Sequence, residues 1–175
     1  QAKNGVVFIS GHSGSGKSVL CHRLLSAHID EGGYGLVITH DIVSQSNSLE
    51  QAIKLTLDQY YSDFASSSPS ALSLCSKSSP LLLLIEDINK SSEPKHLVSK
   101  ILNWMPKVSK EQNSQDIPWK IICPLWPEVI TSLDSQEIQK ISPLVLRLSV
   151  FNKSEGMRAI SAKAKIAGIK LSKLE

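Results

Sequence analysis

The chain has 175 residues, 41% of them hydrophobic and 20% charged, and a formal net charge of +3. That is one domain of ordinary size with enough apolar material for a substantial core, and the mild charge argues for neither nucleic acid nor a membrane surface as partner. Its three cysteines show no C-x-x-C spacing, which excludes a zinc or disulfide framework and suits buried or free thiols in a reducing, cytoplasmic setting. Strand and helix patterns alternate from the start. Gly5–Ser10 predicts a first strand, opening so close to residue 1 that the chain reads as a domain excised from a larger protein. Lys17–Ile29 predicts the first helix, ended by Gly32-Gly33, and Gly35–Thr39 the second strand. A long helix is expected next, with Leu49, Ala52, Ile53, Leu57, Tyr60, Tyr61 and Phe64 on one core-facing side.

Ser66–Ser79 is serine-rich and reads as an exposed loop, and Leu81–Ile85 as a strand buried on both faces, far too short to cross a bilayer. Pro94 opens a helix that turns Leu97, Val98, Ile101, Leu102 and Met105 inward. After a polar loop, Lys107–Pro118, comes a fourth strand, Trp119–Cys123, expected to stop at Pro124 and Pro127. Leu144–Val150 is the fifth strand. Asn152-Lys153-Ser154-Glu155 then looks like a capping box, opening a helix whose Lys163, Lys165, Lys170 and Lys173 form a solvated face.

One segment dominates the chemistry. Gly11-His12-Ser13-Gly14-Ser15-Gly16-Lys17-Ser18 satisfies the pattern G-x-x-x-x-G-K-[ST], between a strand and a helix as that pattern requires. A helix N-terminus carries a partial positive charge of about half a unit, and the loop's N–H groups turn toward an anion. Lys17 is placed to reach the β- and γ-phosphates of a nucleoside triphosphate, and the Ser18 hydroxyl to ligate Mg²⁺. The expected cofactors are therefore ATP (or ADP) and Mg²⁺.

Such a loop needs an acidic partner, and Leu81–Ile85 runs into Glu86-Asp87 at the end where open α/β sheets bind ligands. By position Glu86 takes the metal and Asp87 polarises water. The usual order of residue types is reversed here, and neighbouring strand residues face opposite ways, so the two roles are interchangeable at this level. His12 is a further candidate for phosphate contact. His40, Asp41, Arg23 and Glu128 are weaker ones, and the fourth strand's tip, Cys123-Pro124-Leu125-Trp126-Pro127, offers no polar sensor.

Among the classes that share this loop, a GTPase needs Asn-Lys-x-Asp, and Asn89-Lys90-Ser91-Ser92 lacks the aspartate. A small-molecule or nucleotide kinase surrounds its substrates with arginines; with only Arg23, Arg147 and Arg158, that is the alternative rather than the first choice. Gly11–Ser18, Leu81–Asp87 with Ile88-Asn89, and Ile121–Pro127 together resemble the AAA+ and STAND NTPases, on the STAND side. The resemblance implies a three-layer α/β/α P-loop sandwich, with a mainly parallel five-stranded sheet of order 5-1-4-3-2. It also implies ATP binding as an oligomerisation switch in defence or signalling, through self-association or flanking domains. Where that class supplies an arginine finger, this chain offers only Lys140, so slow hydrolysis is expected.

Overall fold

The computed structural model describes residues 5–60, 75–76, 78–105, 118–149, 154–155 and 157–158. The sheet is built from β1 (Val6–Ser10), β2 (Tyr34–Thr39), β3 (Leu81–Glu86), β4 (Trp119–Leu125) and β5 (Val145–Arg147). The helices are α1 (Lys17–Asp30), α2 (His40–Gln45), α3 (Leu49–Tyr60), α4 (Pro94–Trp104), α5 (Pro127–Thr131) and α6 (Ser135–Ile141). Strand order is β2-β3-β4-β1-β5 with every pairing parallel, which is the expected 5-1-4-3-2 sheet.

Alternation along the strands divides the core between the two faces. Phe8, Ile38, Leu83, Ile85, Ile121 and Cys123 pack on one side under α2, α3 and α4. Ile9, Leu84 and Ile122 pack on the other against Cys21 and Leu25 of α1. The central strands are covered on both sides, which is why β3 reads as an unbroken apolar run. Burial pushes the Cys21 thiol up to about 11 and raises that of Cys123, so both stay neutral as core residues.

Several boundaries differ from those the sequence suggested. β4 does not stop at Pro124. Ile121 N–H donates to Gly5 O on the β1 side, so alternation aims residue 124 toward β3, where pairing has already ended at Leu84–Ile122. The proline thus removes no ladder hydrogen bond and the strand runs on to Leu125, opposite Ser10. The expected long helix is two. Ser46 Oγ turns back to Ile42 O at the end of α2, and Ser48 Oγ accepts from Gln51 N–H to start α3. Tyr60, the last described residue of α3, is 65% exposed rather than inward. β5 is shorter than predicted, Val145–Arg147. Tyr61, Phe64, most of Ser66–Ser79, nearly all of Lys107–Pro118, and Asn152 with the lysine-rich end lie outside the described residues.

α6 is secured by a reciprocal cap. Asp134 Oδ1 accepts from Glu137 N–H at 2.8 Å, and Glu137 Oε2 accepts from Asp134 N–H at 3.2 Å. Asp134→Ala is expected to lower unfolding free energy by about 1 kcal/mol in a urea titration, while Asp134→Ser keeps most of it.

Candidate functional site

The loop leaving β1 closes on itself before α1 begins. Gly14 and Gly16 hold φ of 77° and 84°, a region that strains any residue with a Cβ, and Gly16 is the residue before the helix. Gly11 is needed for space: a Cβ there would stand 2.6 Å from Ser15 Oγ. The first-turn N–H groups of α1 have no intrahelical acceptor, which leaves them available to an anion.

Lys17 lies across this loop, 6% exposed. Its Nζ donates to Gly11 O at 2.6 Å and His12 O at 2.7 Å. Burial lowers its pKa, and the nearby Glu128 carboxylate works in the opposite direction. Ser15 Oγ is buried in the same loop without a hydrogen-bond partner among the described residues. A polar atom left so costs about 1–3 kcal/mol, a deficit that a phosphate oxygen would remove.

A cavity of about 370 Å³ opens over the loop, walled on one side by Ser13, Gly14, Gly16, Lys17, Ser18 and Val19. Asp87, Asn89, Lys90, Pro124 and Trp126 form the other wall. Asp87 follows β3 at φ 62°, a left-handed conformation that aspartate tolerates better than most residues, and its Oδ2 accepts from Lys90 Nζ at 2.9 Å. Asn89 Oδ1 accepts from Trp126 N–H at 2.9 Å, tying the turn after β3 to the tip of β4.

The two adjacent carboxylates part company. Glu86 lies on the α1 side of the sheet with Leu84, its Oε1 2.9 Å from His22 Nε2, and it does not line this cavity. Of the predicted site residues, the structure therefore brings together Ser13, Gly14, Gly16, Lys17, Ser18 and Asp87. Gly11 and His12 line a neighbouring cavity of about 270 Å³ with Ser10, Thr131 and Arg147. His12 is largely exposed, 3.9 Å from Glu128. His40 pairs with Asp41 at 3.3 Å where α2 begins, and neither lines either of these two cavities. Lys90, Asn89 and Trp126 carry no sequence signal as cavity residues, since their value depends on which tips the sheet order makes neighbours.

Among the described residues, no three His, Cys, Asp or Glu side chains cluster into a metal cage. No helix among the described residues is long and apolar enough to cross a membrane.

A parallel sheet of this order, with the glycine loop between β1 and α1, defines a P-loop NTPase fold. Residues 1–118 of the 175 match novel STAND NTPase 3 (nSTAND3), and the chain belongs to that family. Among solved structures it is similar to Cdc6p from Pyrobaculum aerophilum, with a TM-score of 0.59 and 16% identity over 92% of this chain and 43% of that one. It is also similar to AMPPCP-bound DnaA from Aquifex aeolicus, with a TM-score of 0.54 and 18% identity over 98% of this chain and 48% of that one. At such identities the likeness is one of fold. The chain spans less than half the length of these structures. No curated protein matches it by sequence.

Proposed function

We propose that this chain binds ATP with Mg²⁺ at the Gly11–Ser18 loop, hydrolyses it slowly, and serves as a nucleotide-dependent switch or oligomerisation module of a larger signalling or defence NTPase. The supporting observation is the meeting of Lys17, Ser18 and Asp87 in one cavity, above a loop with a partnerless buried hydroxyl. Lys17 neutralises the β- and γ-phosphate oxygens, while the loop N–H groups hold the rest of the chain of phosphates. Ser18 and Asp87 are the groups that hold the metal, Asp87 directly or through water. Bound Mg²⁺ supplies charge neutralisation and orients the phosphates. Glu86 is held beside His22 and does not line this cavity. An AMPPCP-bound DnaA among the structural neighbours favours an adenine nucleotide.

Slow turnover follows from the cations available. No arginine among the described residues lines the phosphate cavity, and an arginine finger is worth about 10³–10⁵ in rate. The switch is expected to associate through self-contact or flanking domains when triphosphate is bound.

Asp87→Asn separates these roles from folding, because asparagine accepts the same left-handed backbone. It is expected to leave the melting temperature nearly unchanged and to weaken Mg²⁺-dependent AMPPCP binding about tenfold. Glu86→Gln is expected to keep that binding, since Glu86 does not line the cavity. Negligible effects of both variants would remove β3 from the site. Light scattering with AMPPCP against ADP tests the switch: triphosphate-dependent growth in size supports it. Phosphate transfer to an added acceptor would instead favour the kinase.

A further inference from the structure

Among the described residues, two lysines line the phosphate cavity, and they are bound in different ways. Lys17 is buried and committed to the carbonyls of Gly11 and His12 within the loop. Lys90 stands on the opposite wall, its side chain 69% exposed and held only at its tip, where Nζ donates to Asp87 Oδ2 at 2.9 Å. The backbone beneath it is anchored independently. Asn89, one residue earlier in the same 3₁₀ turn (Ile88–Lys90), is fastened to the tip of β4 through Trp126 N–H. The turn is thus pinned while the lysine's four-carbon stem keeps its freedom.

Resting on the nucleotide reading of this cavity, we infer that Lys90 reads the γ-phosphate: it exchanges its contact with Asp87 for the terminal phosphate of a bound triphosphate and finds no such partner on a diphosphate. Both halves of the exchange follow from charge. Mg²⁺ arriving with the nucleotide attracts the Asp87 carboxylate, and the terminal phosphate offers the released ammonium a stronger acceptor than one exposed carboxylate does. Lysine suits the task because it is a compact charge on a mobile stem that swings between two anions on facing walls. The left-handed backbone at Asp87 keeps that carboxylate on the cavity wall rather than along the strand direction. The cavity would then distinguish the two nucleotide states with groups of this chain alone.

The test is calorimetric titration of the 175-residue chain and its variants with Mg·AMPPCP and with Mg·ADP. Lys90→Met is expected to weaken AMPPCP binding about tenfold, the size of one solvent-exposed charge-assisted hydrogen bond, and to leave ADP binding within about twofold. Lys90→Arg is expected to retain the preference for triphosphate. A Lys90→Met variant that weakens both nucleotides equally, or neither, overturns the inference while the nucleotide site stands. Absence of binding by the unsubstituted chain overturns the site itself and the role of Lys90 with it. Lys17→Ala marks the difference, since it is expected to cost both nucleotides.

Discussion

Lys17→Ala is expected to weaken Mg·AMPPCP binding by about a hundredfold or more. Removing one partner of a buried, hydrogen-bonded charge pair costs about 2–5 kcal/mol, and each 1.4 kcal/mol is about tenfold in affinity. Lys17 meets the conditions for the upper part of that range. It is almost wholly buried, burial lowers its pKa, and among the described residues no second cation lines its side of the cavity. The substitution also deletes the two hydrogen bonds to Gly11 O and His12 O, so the loop loses its internal brace. The sheet should be untouched, because none of its pairings passes through Lys17. Far-ultraviolet circular dichroism should therefore stay native while calorimetry reports the lost affinity. Retention of native affinity by a folded Lys17→Ala protein would take the site away from the loop.

The largest expected effect on folding comes from Phe8→Ala. Phe8 is fully buried at the middle of β1, opposite Cys123 of β4 on one side and Val145 of β5 on the other. Truncating such a side chain removes its transfer free energy and leaves a cavity that close-packed strands cannot collapse around; about 3–5 kcal/mol is typical. Domains are stable by only about 5–15 kcal/mol, so a large fraction of the total would go. β1 also carries the glycine loop at its end, and nucleotide should therefore rescue part of the lost thermal stability by mass action. Thermal melts with and without Mg·AMPPCP measure both effects. A drop in melting temperature no larger than that of an exposed substitution would show that Phe8 is not part of the close-packed core.

What the sequence could convey depended on how local the signal was. The glycine loop was legible residue by residue because its constraints, two positive-φ glycines, one crowded glycine and one lysine, are met within eight positions. β3 was legible because burial on both faces leaves only apolar residues in its run. The path of β4 through Pro124 was not, because whether a proline breaks a strand depends on which neighbour its missing N–H would have faced. The split between α2 and α3 was signalled by the polar run Ser44–Ser48 and by Ser48 and Gln51 at its end, a local cue that the apolar spacing from Leu49 onward does not carry. The divergence of Glu86 from Asp87 followed from strand alternation, but which of them met the loop required the left-handed turn at Asp87. Lys90 and Trp126 belong to segments far apart in the chain, and only the adjacency of β3 and β4 brings them to one cavity.

The most direct test is calorimetric titration of the 175-residue chain with Mg·AMPPCP, repeated with a GTP analogue and with the Lys17→Ala variant. Saturable one-site binding that prefers the adenine nucleotide and disappears in Lys17→Ala is the expected result. Binding that survives the loss of Lys17, or no binding by the folded chain, would contradict a nucleotide site at the Gly11–Ser18 loop.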